Sequence, residues 1–213
     1  MSHSFVAIDL ETANRNTRSI CQIGIVVYED GREVASEVVL VNPREPFEPM
    51  NIRVHGIRDT HVTDAACFPD LHDWLHAHLH DRIVLAHGNF DRGALRNACE
   101  HHILPAFACR WLDSVTIARR AWPHLKGEGG GHGLANLAKV FNLTFRHHDA
   151  LEDARAAGTL TLRALEEQGW TLDDCFGRYT PKASTLKAAD QASKKSSSSR
   201  LIDTVSSIRH PTS

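Results

Sequence analysis

Asp9 and Glu11 stand two residues apart at the end of an apolar run, Phe5 to Ile8. If that run is a strand, side chains two apart leave the same face, so the two carboxylates lie side by side where the strand ends. Carboxylates that close repel each other, and burying either one unpaired is costly or forces it to take up a proton. A divalent cation removes both problems, and hard oxygen donors suit Mg²⁺ or Mn²⁺. A solvated strand end with two unrelated acids is the simpler alternative, and an Asp-x-Glu pair alone does not separate the two. Three further groups bear on the choice. Asp91 follows a second apolar run, Ile83 to Ala86, within His87-Gly88-Asn89-Phe90-Asp91, where strand gives way to helix. Asp153 falls in the first turns of a long helical stretch, and His148 stands five residues before it in the preceding loop. From those places the histidine and the aspartate can face one cleft.

The elements that must hold these groups can be read from periodicity. After the first strand, Ser19 to Tyr28 is apolar enough for a second, and Asp30-Gly31 marks a hairpin turn into a third over Arg32 to Val41. Asn42 to Met50 holds three prolines and reads as a loop; short helical stretches are expected after His55-Gly56-Ile57, then an amphipathic helix over Phe68 to Leu79. Arg82 to His87 reads as a short buried strand, Asp91 to His102 as a helix, Phe107 to Leu112 as a fifth strand and Asp113 to Trp122 as a helix. The Gly-rich stretch Pro123 to His132 is either a mobile lid or a plain connector. Gly133 to Phe141 and Ala150 to Glu167 complete the helices. A meander followed by strand–helix alternation predicts an α/β layered domain with a mixed five-stranded sheet flanked by helices.

On these residues the chain resembles the DEDDh exonucleases, a family that includes the proofreading epsilon subunit of bacterial DNA polymerase III, RNase T and exonuclease X. The first family motif, Asp-x-Glu-Thr on the first strand, is matched by Asp9-Leu10-Glu11-Thr12. The second, a Phe-Asp at a strand-to-helix junction, is matched by Phe90-Asp91, and the third, His and Asp separated by four residues, by His148 and Asp153. Gln22-Ile23-Gly24, His55-Gly56-Ile57 and Leu112-Asp113-Ser114 are supporting matches. The likeness runs from about Phe5 to Gly169. One departure stands out: the family usually places His-Asn and two residues before Phe-Asp, and His87-Gly88-Asn89-Phe90-Asp91 is one residue shorter. The resemblance implies a ribonuclease-H-like fold and a metal-dependent 3′–5′ exonuclease that releases mononucleotides from single-stranded or frayed DNA ends. It implies two Mg²⁺ or Mn²⁺ ions, Asp9 bridging both, Glu11 and Asp153 completing one site and Asp91 serving the other, with His148 as general base. An exoribonuclease on the same scaffold, a non-catalytic nucleic-acid-binding module and a zinc protein are the rival readings.

Leu10, Ile57 and Phe90 could wedge against terminal bases, with ordinary core as the alternative; Thr12, inside the first motif, joins them as a candidate substrate contact. His72, His76 and His80, spaced i, i+4, i+8, would line one helix face, but no Cys or acid there completes a closed zinc site. His101, His102 and His147 read as surface residues. Five scattered cysteines without a Cys-x-x-Cys pair read as reduced thiols of a cytosolic protein, and no apolar run reaches bilayer-spanning length. An exonuclease domain is expected over residues 1–175. Beyond it lies a basic, Ser/Lys-rich tail, 176–213, expected to be largely disordered. Residues 182–213 carry six Lys/Arg against two Asp, against a net charge of −2 for the whole chain. Such a tail can hold nucleic acid by charge. Alternatively Leu201, Val205 and Ile208, one helical face, can dock on a protein partner, a match short enough that a chance pattern in a disordered tail is the simpler reading.

Overall fold

The computed structural model describes residues 3–127 and 129–176; the expectations for the chain from Gly177 onward lie outside the described residues. Five strands form one sheet in the order β3-β2-β1-β4-β5. Strands β1 (Phe5–Thr12), β2 (Ile20–Glu29) and β3 (Arg32–Leu40) make the antiparallel meander, turning at Asp30 and Gly31, both at positive φ. Strands β4 (Ile83–Ala86) and β5 (Arg110–Asp113) then run parallel to β1. The three parallel strands therefore end along one edge of the sheet, at Thr12, Ala86 and Asp113. Crevices beyond the carboxyl ends of strands are where open α/β sheets bind ligands.

Helices cover both faces of the sheet. Phe5 and Ala7 of β1 join Val26, Leu85 and Leu112 in one apolar cluster under α4 (Ser114–Ala121), α5 (Leu134–Val140) and α6 (Ala150–Gln168). Val6, Ile8 and Leu10 join Ile23, Ile25 and Val84 in the opposite cluster, under α2 (His72–Leu79) and α3 (Phe90–His102). Strand β1 is thus buried on both sides, and its alternation alone directs Asp9 and Glu11 to the α6 side. Strand β3, by contrast, is a sheet edge exposed along most of its length.

Some elements differ from the sequence pattern. Pro49 opens a helix, α1 (Pro49–His55), inside the stretch read as a loop running into later helical pieces; its fixed φ suits a first helical position. Pro69 and the local bond from Cys67 N–H to Asp70 Oδ2 tighten Phe68–Leu71 into a 3₁₀ turn, so α2 begins only at His72. His80 lies beyond α2 in extended backbone, so it is not on the helix as expected, although its ring still stacks on that of His76 with centroids 4.1 Å apart. A last short helix, α7 (Leu172–Phe176), had no periodic signal. Among the described residues no helix is long and apolar enough to cross a membrane.

Candidate active site

Asp9 and Glu11 leave β1 on the α6 face, and Asp153 comes down from the first turns of α6 to meet them. Ligand oxygens of the three lie within 4.8 Å of one another. Asp91, at the start of α3, completes the group from the next strand-to-helix junction. One Asp91 carboxylate oxygen accepts the main-chain N–H of Leu10 at 3.0 Å, a buried bond that ties α3 to the strand between the two acids.

The close approach of α6 to β2 is built into two residues. Gln22 Oε1 accepts the Ala150 N–H at 3.1 Å, satisfying a donor that the helix start leaves free. Gly24, the cross-strand partner of Asp9, leaves room for the helix backbone: a Cβ there would lie 2.3 Å from the Ala150 carbonyl carbon. Asp149 caps α6 by accepting the N–H groups of Leu151 and Glu152. The far end of β1 is held by α1, because Asn51 Nδ2 donates to the Thr12 carbonyl at 2.8 Å and His55 Nε2 lies 3.1 Å from the same oxygen. His55 Nδ1 accepts the Ile57 N–H at 2.9 Å, which fixes the neutral tautomer with its proton on Nε2, and burial pushes its pKa down accordingly.

Crowded together, Asp9, Glu11 and Asp91 titrate abnormally. Burial, then the charges of Asp91, Asp153 and Glu11, push Asp9 well above the usual carboxylate range. Burial, then the charges of Asp153 and Asp91, push Glu11 to about 7. Asp91 is also raised, by burial against the opposing hydrogen bond from Leu10. No Lys or Arg is paired with any of the four through a salt bridge among the described residues. A cluster of carboxylates with no Lys or Arg beside it, touched only by the His147 ring at Asp153, is the donor set of hard divalent cations.

His148 stands exposed at the mouth of this cluster, with φ 66°. Its main-chain N–H donates to Asp153 Oδ2 at 2.9 Å. Its imidazole pKa is lowered, by burial and by the neighbouring His147 ring, so the neutral base prevails at neutral pH. His147 is exposed, as expected of a surface histidine, yet it also bonds through Nδ1 to Asp153 Oδ1 at 2.7 Å and stacks on His148 with ring centroids 4.0 Å apart. Spacing counted from Asp153 singles out one histidine, and the left-handed backbone at His148 itself is what brings its neighbour in.

The exonuclease family model of the RNase T group matches residues 6–161, which is most of the chain. The chain belongs to this exonuclease family. With Asp9, Glu11, Asp91, His148 and Asp153 in place it is of the DEDDh 3′–5′ type, whose members depend on divalent metal. A PolC-type DNA polymerase III of Streptococcus pneumoniae (serotype 2, strain D39) is 27% identical over 168 residues, covering 77% of this chain but 11% of the polymerase. The chain thus spans about a ninth of the length of that relative. Among solved structures, exonuclease X in complex with 5′ overhanging duplex DNA superposes with a TM-score of 0.63 at 24% identity, over 80% of this chain and 96% of that one. The nuclease domain of 3′hExo, a DEDDh family member bound to rAMP, gives 0.62 at 18% identity, over 85% and 98%. These two likenesses establish the shared, ribonuclease-H-like α/β fold.

Within this exonuclease fold, the candidate substrate contacts divide. Phe90 is 49% exposed beside Asp91, open to a ligand. Leu10 and Ile57 are 4% and 7% exposed and belong to apolar clusters, which is the core alternative. The Thr12 side chain is also buried, and the backbone there is irregular: the pairing of β1 with β2 shifts between Glu11 and Thr12. The shortened second motif turns through Gly88, at φ 109°, and keeps His87 on Ser114, with Nδ1 2.7 Å from Oγ. Asp113 caps α4 by accepting the Val115 N–H, so Leu112-Asp113-Ser114 is a cap plus an anchor for His87. His72, His76 and His80 do not gather into a three-donor group among the described residues; His72 Nε2 instead faces the Pro105 carbonyl at 2.9 Å.

Proposed function

We propose that this exonuclease hydrolyses phosphodiester bonds at DNA 3′ ends and releases mononucleotides, with two Mg²⁺ or Mn²⁺ ions held by its four acidic residues. The observation that carries the reading is the convergence of Asp9, Glu11, Asp91 and Asp153 beside His148 at the carboxyl edge of the sheet. Asp9, Glu11 and Asp153 would hold one ion and Asp91 and Asp9 the other. When bound, the ions neutralise the phosphate and lower the pKa of water. The protein's own groups supply the rest. His148, neutral and reachable from solvent, accepts the proton of the attacking water; a base whose pKa lies below neutrality is fully available at pH 7. The Leu10 N–H holds one Asp91 oxygen and the His148 N–H one Asp153 oxygen, so a main-chain donor fixes each carboxylate, with the His147 ring on the other Asp153 oxygen. Phe90 offers a ring to the terminal base.

DNA is favoured over RNA by the PolC-type polymerase relatives, and removal of 3′ nucleotides suits proofreading or repair. The test is digestion of 3′-labelled and 5′-labelled oligonucleotides, DNA beside RNA, with Mg²⁺, Mn²⁺ or EDTA. Stepwise loss from the 3′ end of DNA, abolished by EDTA, is the expected result. Faster digestion of RNA makes the enzyme an exoribonuclease, and no digestion of either with any metal overturns the reading.

A further inference from the structure

The hydrolytic scheme makes no use of His147, yet its ring closes a second group of donors on the outer side of Asp153. The left-handed backbone at His148 brings two successive imidazoles, which extended backbone would direct apart, into a stack with centroids 4.0 Å apart and planes 23° apart. The His148 N–H engages Asp153 Oδ2, and the other carboxylate oxygen faces His147 Nδ1 at 2.7 Å. Ligand atoms of His147, His148 and Asp153 all lie within 4.8 Å of one another. We propose that these three residues bind a zinc-class transition ion, and that filling this site stops hydrolysis by taking His148 and Asp153 out of the reaction.

The donor chemistry separates the two sites. Asp9, Glu11 and Asp153 offer only oxygen, which suits Mg²⁺ or Mn²⁺. His147, His148 and Asp153 offer two nitrogens and one oxygen, a set that favours Zn²⁺ or Co²⁺ and that Mg²⁺, reluctant to shed water for imidazole, rejects. Zinc–nitrogen bonds of about 2.0–2.1 Å in a tetrahedron place donors about 3.3 Å apart. The His147–Asp153 edge has only to open slightly from 2.7 Å, with the ion replacing the shared proton. Both histidines are exposed, so their rings have room to turn out of the stack and aim a nitrogen each at the ion. Three protein ligands leave a fourth position for water, the pattern of an exchangeable rather than a structural site. Asp153 belongs to both triads, so one carboxylate is contested between an activating and an inhibiting ion.

The inhibitory half of this inference rests on the exonuclease reading; the binding half does not, and the test separates them. The untagged full chain is titrated with Co²⁺ in excess Mg²⁺, because tetrahedral Co²⁺ absorbs strongly in the visible and octahedral Co²⁺ weakly. The expected result is strong absorption saturating at one equivalent, displaced by Zn²⁺, and lost in both His147→Gln and His148→Gln with unchanged circular dichroism. In parallel, Zn²⁺ is titrated against Mg²⁺-dependent digestion of a 3′-labelled oligonucleotide, with each protein referred to its own zinc-free rate. His147→Gln should need at least tenfold more Zn²⁺ for half inhibition. Strong absorption retained in the variants, or only weak octahedral bands in the wild type, overturns the site even if digestion proceeds. Strong absorption without digestion in any metal leaves the site standing and defeats the exonuclease reading instead.

Discussion

In the metal-free protein Glu11 should act as a built-in strain, and replacing it by Gln should stabilise the fold far more at pH 8 than at pH 5. Its carboxyl is 9% exposed and raised from an ordinary 4.5 to about 7 by burial and by Asp153 and Asp91. At roughly 1.4 kcal/mol per decade, that difference corresponds to about 3 kcal/mol. The unfolded chain loses the Glu11 proton near pH 4.5, whereas the folded chain keeps it until about 7. The unfolded state therefore binds fewer protons between those values, and stability falls as pH rises through them. Glu11→Gln carries no such proton. Its advantage over wild type should thus be under about 1 kcal/mol at pH 5 and about 3 kcal/mol at pH 8. In a domain of this size that is a Tm difference of about 6–12 °C. The double difference, variant against wild type at two pH values, cancels His55 and His87, whose depressed pKa values act with the opposite sign. Thermal denaturation followed by circular dichroism in EDTA measures it. Adding Mn²⁺ should then reverse the order, raising the wild-type Tm with little effect on the variant. If the two proteins track each other at both pH values, Glu11 is not held in an uncompensated anionic cluster, and the case for a cation there fails.

Single replacement of Asp9, Asp91 or Asp153 by Ala should lower the rate of oligonucleotide digestion by at least a thousandfold while leaving circular dichroism unchanged; a variant with near-normal rates in Mg²⁺ removes that residue from the metal set. His148→Ala should flatten the acidic limb of the pH–rate profile, a limb that lies below the ordinary histidine value of 6.5 because burial and His147 depress the pKa; an unchanged profile means that another group takes the proton. Gly24→Ala should cost on the order of 2 kcal/mol, measured by urea denaturation, because its Cβ meets the α6 backbone rather than a movable side chain. Truncation after Tyr179 should weaken DNA binding at low salt and make its salt dependence shallower if the basic tail acts by charge.

The sheet and the acidic cluster were legible because alternation is rigid: once β1 is buried on both faces, Asp9 and Glu11 can only share a side. The same rule places Leu10 on the other side, in the core, which is the alternative its sequence position offers to a base-contacting wedge. Helix α1 was missed because three prolines read as loop, although Pro49 sits where a helix tolerates proline best. His80 was misplaced for the converse reason. Its spacing fits a helix, but spacing does not show where a helix stops, and the backbone is already extended there.

What sequence spacing could not supply is the reason that α6 comes close enough to put Asp153 between Asp9 and Glu11. That approach is set by residues without chemistry of their own. Gly24 is required because it faces the backbone of Ala150, and Gln22 because its amide oxygen receives the first free N–H of the helix. Gly158 repeats the device a few turns on, where a Cβ would lie 2.4 Å from the Tyr28 ring, while the Tyr28 hydroxyl donates to the Arg155 carbonyl. Two glycines facing the same helix–strand seam, one on each side, let the helix lie against the strand next to β1. A larger residue at either would lift the helix and with it Asp153, leaving Asp9 and Glu11 intact but without their third ligand. The precision of the site therefore resides in the seam between β2 and α6 as much as in the acids, and a loss of metal affinity in Gly24→Ala with all four acids present would show it directly.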